Sequence, residues 1–303
     1  MSRPELVIVG SIGIDHIETP QAKRGNLLGG SASYGCAAAS FFTAPGMVGV
    51  VGEDFPPEFM ELYRTFSVDL AGLQTRQGRT FAWSGVYEEN MDNRRTVETV
   101  LGVFESFQPD LPSSYREAPY VFLGNMAPEL QLHVLQQMHK PAFVLADTMD
   151  LWINIARERL IQVIGRVNML TLNESEARLL TGAHNLLAAA GILLEMGPDY
   201  ILIKKGEHGS MLFSREGLYL QPAYPLAAVA DPTGAGDTFA GALMGWIAEA
   251  EAHGTSAIRQ GMLYGSVVAS FGVESFSLDR LATLDRAGIE ARAGDLTKMI
   301  RMA

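Results

Sequence analysis

The chain has a single cysteine, Cys36, among 303 residues, and it is short of basic residues, with 23 Lys and Arg against 34 Asp and Glu, a formal net charge of −11. A lone cysteine has no partner within the chain, which excludes an internal disulfide framework and suits a reducing compartment. The acidic surplus argues against a broad phosphate-tracking surface, so no nucleic-acid partner is expected, although a local basic pocket is compatible with it. Six histidines, His16, His133, His139, His184, His208 and His253, are scattered with neither an H-E-x-x-H nor a Cys/His pattern, and no zinc site is expected. The opening MSRPELVIVG has one Arg, then Glu5, then only a short apolar run, too little for a secretory signal, so a cytoplasmic protein is expected. Residues 27–52 carry no charge and are long enough to span a bilayer, but six glycines, Pro45 and several hydroxyls divide them into a small-residue loop, an Ala-rich helix and a Val/Gly strand. No membrane partner is expected.

Short β-branched runs recur at residues 6–9, 47–51, 120–123, 143–146, 169–172 and 200–203. Runs that are apolar on both faces and separated by helix-length segments indicate an α/β fold, a central, mainly parallel sheet with helices on both faces. Phe239, Leu243, Trp246, Ile247 and Ala250 fall at i, i+4, i+7, i+8 and i+11, one core-facing helical stripe. Segments 11–28 and 80–101 mix polar and apolar residues and read as antiparallel strands of a small β-sheet lid. With no repeat, low-complexity tract or linker, residues 1–303 read as one unit that includes the lid.

The most informative stretch is 231–245, DPTGAGDTFAGALMG, just ahead of that helical stripe. Gly234, Ala235 and Gly236 at a helix start leave backbone N–H groups uncovered, where the helix dipole also favours an anion. A carboxylate beside such a cradle repels the anion unless it has its own task. For Asp237 that task is to accept the proton of a hydroxyl attacking phosphorus. An Asp in a first helical turn is otherwise an N-cap or dipole partner.

The whole fifteen-residue string resembles the C-terminal signature of the ribokinase-like, or PfkB, carbohydrate kinases, and the resemblance extends from Leu6 to about Gly272. It implies the ribokinase fold with its lid, ATP and Mg²⁺, and a sugar, inositol or nucleoside as the acceptor. A monovalent cation near Asp231 and a homodimer paired through the lids are further implications. Gly29 and Gly30 match the family's paired glycines, where bare backbone lets substrate hydroxyls approach. Asp15, in GSIGID, resembles its substrate-binding carboxylate, able to accept from two hydroxyls. Asn173 and Glu176, in NESEA, resemble its Asn-x-x-Glu, which orders magnesium and phosphates through water; the same residues also spell a capping box. Lys204, Gly206 and Gly209, in KKGEHG, resemble its nucleotide loop, with a lysine where many members have a hydroxyl, able to offer a charge to phosphates or simply to sit solvated at a strand end. Thr233 belongs to the same phosphate-binding set. Asp147 loosely resembles a carboxylate near the phosphates, and Gly124 and Asn125 end a strand on the rim where open α/β folds gather ligands, which makes Asn125 a candidate substrate contact.

Tyr34 stands where many sugar kinases of the family carry an Asn that touches the sugar. A ring in that place weakens ribose or fructose specificity and favours a different polyol, an inositol or a nucleoside. Arg94 and Arg95, on the lid, would meet an acidic substrate, but exposed basic pairs are usually solvated surface, and that is the expectation here. Cys36, among small residues on a helix, reads as a buried hydrophobe. Two other functions compete. A nucleotide-linked oxidoreductase is suggested by Gly10 and Gly13 after the first run, although GSIG is not G-x-G-x-x-G. A non-catalytic sugar or nucleoside sensor on a kinase fold is the other, and Asp237 argues against it. No Walker G-x-x-x-x-G-K-[ST] is present.

Overall fold

The computed structural model describes residues 3–91 and 94–300; residues 92 and 93 of the expected lid, and 1–2 and 301–303 of the expected unit, lie outside the described residues. The strands are β1 (Leu6–Val9), β2 (Gly13–Glu18), β3 (Lys23–Gly29), β4 (Gly46–Gly52), β5 (Asp69–Arg76), β6 (Phe81–Tyr87), β7 (Arg94–Val100), β8 (Tyr120–Leu123), β9 (Phe143–Asp147), β10 (Met169–Asn173), β11 (Tyr200–Lys204), β12 (Ser210–Ser214) and β13 (Gly217–Gln221). The α-helices are α1 (Ser31–Ala39), α2 (Pro57–Thr65), α3 (Pro128–Gln137), α4 (Asp150–Ile155), α5 (Arg157–Ile164), α6 (Glu174–Thr181), α7 (Leu186–Glu195), α8 (Ala235–Ala250), α9 (Thr255–Gly272) and α10 (Arg286–Ile300).

Among the described residues, nine strands form one sheet in the order β13-β12-β11-β10-β9-β8-β1-β4-β5, parallel from β11 to β5 and antiparallel at β12 and β13. The period-2 alternation of a strand splits its residues between two cores. Leu6 and Ile8 join Phe122, Leu145 and the apolar faces of α1, α8 and α9 on one side. Val7 and Val9 join Val121, Leu123, Val144 and residues of α3 and α5 on the other. Burial on both sides is why these strands read as unbroken apolar runs. The expectation did not include β5, β12 and β13. They lie at or near the sheet edges, β5 and β13 largely uncovered and β12 mostly buried, and all three carry mixed residues that lack a buried strand's signature.

The lid is a four-stranded sheet, β3-β2-β6-β7. Its pairing corrects the expectation of antiparallel strands. Each hairpin, β2–β3 and β6–β7, is antiparallel, but β2 and β6 run parallel where the hairpins meet. The chain between the hairpins passes through α1, β4, α2 and β5, a crossover long enough for a parallel join. The charge-free stretch 27–52 contains the expected helix, α1, and strand, β4, while the end of β3 stands where a small-residue loop is expected. No single helix among the described residues is long and apolar enough to cross a membrane, although the bent pair α6 and α7 together meets the criterion of length and composition.

One helix pair positions the site. α1 and α8 pack backbone to backbone: a Cβ on Gly241 would stand 2.3 Å from the Gly35 carbonyl oxygen, and one on Gly245 would stand 2.8 Å from the Ala39 Cα. Small residues, SASYGCAAA in one helix and GDTFAGALMG in the other, allow this approach and hold the two helix starts side by side. Cys36 is buried within α1, and burial pushes its thiol pKa up, so the cysteine is packing, as the sequence indicates.

Candidate active site

The order of the main sheet reverses at β1, with β8 on one side and β4 on the other, and in open α/β sheets ligands bind beyond the strand ends at such a point. A cavity of about 580 Å³ lies there, between the strand ends, the lid and the start of α8. It is lined by Asp15, Gly30, Tyr34, Asn125, Thr233, Gly234 and Asp237 of the sequence-derived set.

Gly234 precedes α8 in a left-handed conformation (φ 72°), which a side chain adopts at a cost, and a Cβ there would fall 2.3 Å from the Tyr34 ring. The loop therefore stays bare at Gly234, Ala235 and Gly236, and Asp237 follows in the first turn of α8. Burial raises the Asp237 carboxyl to about 7, the charge of Asp147 adds to the rise, and Lys204 and Arg94 oppose it. Asp15, 4% exposed, faces the same space from β2, and no described side chain hydrogen-bonds its carboxylate. It is raised to about 8, by burial first and then by the charges of Asp231 and Asp237. Gly29 is needed beside it, since a Cβ there would stand 1.9 Å from Asp15 Oδ2. The Tyr34 hydroxyl is buried without a hydrogen-bond partner among the described residues, as is Asp231 Oδ2, while Asp231 Oδ1 accepts from Thr233 N at 2.9 Å.

A second cluster lies against the bare loop. Lys204 Nζ donates to Asp147 Oδ2 at 2.8 Å, and a Cβ on Gly236 would stand 3.0 Å from that ammonium. Lys204 is therefore no solvated strand-end lysine: desolvation alone would lower its pKa, but Asp147 and Glu176 outweigh it and raise it. Asp147, a weak candidate on sequence, stands at the centre of this cluster. Asn173 and Glu176 form the capping box of α6, with Asn173 Oδ1 accepting from Glu176 N at 2.9 Å and Glu176 Oε2 accepting from Asn173 N at 2.7 Å. The structural reading of that motif is thus realised, yet Glu176 also senses Asp147 and Lys204, and burial raises it to about 7. Gly206 and Gly209 bound the tight turn after Lys204 and do not line the cavity.

Among the described residues no group of three or more His, Cys, Asp or Glu side chains could hold a metal directly. The donors present, an ammonium beside bare amides at a helix start with Asp147 and Glu176 close by, fit a triphosphate whose own oxygens hold a hydrated Mg²⁺ that the carboxylates reach through water.

The sequence reading missed the outer half of the cavity, which is walled by Phe81, Trp83, Phe104, Met149 and Trp152. Asn125, expected as a substrate contact, has both amide atoms engaged there: Oδ1 accepts from Trp152 Nε1 at 2.8 Å and Nδ2 points to Met149 Sδ at 3.0 Å. Trp152 stands five residues after Asp147 in ADTMDLW, and its proximity to a strand end was the only available signal. Arg94 and Arg95 are both exposed, as expected, and Arg94 also borders the cavity and lies over the Trp83 ring at 5.8 Å. The oxidoreductase alternative loses its basis: β1 is followed by the lid strand that begins at Gly13, so no helix N-terminus follows the glycines to hold a pyrophosphate.

Asp237, in the first turn of α8 after the bare loop, and Asp15 on β2 line the same cavity under the β-sheet lid. Residues 3–278 match the pfkB family of carbohydrate kinases, and the chain belongs to that family. It is 30% identical over 248 residues to a cytidine kinase of Thermococcus kodakarensis, covering 79% of this chain and 87% of that protein. Its fold is that of a Burkholderia thailandensis nucleoside kinase in complex with inosine (TM-score 0.80, 20% identity, 96% and 97% of the two chains). It is also that of Arabidopsis thaliana ribokinase complexed with ribose and ATP (TM-score 0.76, 22% identity, 97% and 99%).

Proposed function

We propose that the protein transfers the γ-phosphoryl group of ATP to a hydroxyl of a nucleoside, with Asp237 as the general base. The observation that carries this reading is the placement of Asp237 on the cavity floor, beside the bare 234–236 loop and opposite Asp15. Asp15 accepts hydrogen bonds from sugar hydroxyls and orients the acceptor. Asp237 takes the proton of the attacking hydroxyl, and the amides following Gly234 receive the charge that develops on the transferred group. Lys204, steadied by Asp147, sets a positive charge against the phosphates, while Asn173 and Glu176 order water around the metal. A bound Mg²⁺ would supply charge neutralisation at the nucleotide phosphates. The lid excludes water, which would compete as acceptor.

The nucleoside is favoured over a bare sugar by the indole, phenyl and thioether walls of the outer cavity, which match the flat face of a base. The cytidine kinase and the inosine complex found among similar proteins support the same class. Tyr34 narrows the floor where a smaller residue would leave room. A screen of nucleosides, pentoses, hexoses and inositols coupled to ADP formation tests the reading, with nucleosides expected to give the highest kcat/KM. Asp237→Asn is expected to reduce turnover by ~10²–10⁴ while nucleotide binding persists. Normal turnover in that variant refutes the role of the base, and acceptor binding without any ADP release in the wild type would favour the sensor.

A further inference from the structure

One lid residue bonds to the loop that carries the bare amides. Tyr87, 6% exposed at the end of β6, accepts a hydrogen bond from Thr233 Oγ1 at 3.0 Å. Thr233 is the residue just before Gly234, and its own N–H is held by Asp231 Oδ1. The Tyr87 hydroxyl therefore grips the loop one residue ahead of the anion cradle. Arg94 begins β7 directly opposite Tyr87 in the antiparallel register. Its guanidinium lies near the Tyr87 hydroxyl and partly offsets the rise that burial imposes on the phenol.

Resting on the kinase reading above, we propose that Tyr87 is a positioning residue that makes phosphoryl transfer conditional on the lid being seated. Tyr87 fixes Thr233 and with it the amides that follow. With the lid displaced this grip is lost, and the cradle loosens when water has access.

The test uses the full-length enzyme with the best acceptor of the screen. Tyr87→Phe keeps the buried ring and removes the hydroxyl; it should lower kcat about tenfold, leave the acceptor KM within about twofold, and raise acceptor-independent ATP hydrolysis relative to transfer. Thr233→Val removes the same hydrogen bond from the other side, and the double variant should be no worse than the poorer single one. Wild-type kcat in Tyr87→Phe, or additive losses in the double variant, would overturn the proposal. Should Asp237→Asn itself keep full turnover, the base assignment fails instead, and the Tyr87–Thr233 cycle still decides the latch through kcat.

Discussion

Asp237 and Asp15 line one cavity in which each carboxylate resists ionising, through burial first, with Asp147 adding to the rise at Asp237 and Asp231 and Asp237 adding to it at Asp15. For a base this matters directly, because only the ionised form accepts a proton. With Asp237 raised to about 7, kcat/KM should climb about tenfold per pH unit below that value and level off above it, as read from a profile between pH 5 and 9. Lys204 pulls the same group down, so Lys204→Met should shift that limb to higher pH as well as weaken ATP binding. Trp152 carries a different expectation. Stacking of a base on an aromatic ring is worth about 1–3 kcal/mol by truncation. Trp152→Ala should therefore raise the nucleoside KM about 5- to 150-fold and leave the KM for ATP nearly constant. A parallel rise in both constants would show that the residue supports the whole site rather than the acceptor.

At the scale of elements, the pair α1 and α8 places the site. Gly30 precedes one helix and Gly234 the other, and the distance between those starts is set by how closely Gly35 and Gly241 let the helices approach. Gly241→Ala puts a methyl group where the Gly35 backbone stands, and overpacking of this kind costs about 1–3 kcal/mol. The expected outcome is a lower thermal midpoint together with a reduced kcat at temperatures where the variant is folded, measured by calorimetry and steady-state kinetics. Much of this element was readable beforehand. The glycine and alanine content of 31–39 and the apolar stripe from Phe239 gave both helices, and DPTGAGD marked the start of the second. The closeness of the helices was not, since small residues permit an approach without naming the partner. The lid shows the same limit, because the segments were recognisable by mixed polarity while their parallel junction depends on where the intervening chain returns.

For the whole molecule, the raised carboxylates link stability to pH. Asp15 and Asp237 rise from 3.8 to about 8 and about 7, and Glu176 rises from 4.5 to about 7. Between about pH 4 and 8 the folded state thus binds more protons at these groups than the unfolded chain. Their contribution to stability falls as pH rises through that window. The ligand-free protein should melt at a higher temperature near pH 5 than near pH 8, and Asp15→Asn should flatten that slope. A melting temperature that rises from pH 5 to pH 8 in the wild type and is insensitive to Asp15→Asn would contradict this account.

The sequence alone determined the layered α/β architecture, the main parallel strands and the bare loop that opens α8, because these rest on local rules: strand period, helix period, and glycines bare of side chains at a helix start. Only the tertiary structure decided that Asp147 and Lys204 pair beside Gly236, that Trp83 and Trp152 wall the outer cavity, and that Arg94, though exposed, borders that cavity. These groups are supplied by separate strands and by a lid folded back from elsewhere in the chain. Their meeting depends on how the elements pack in three dimensions, which the spacing of residues along the sequence does not encode.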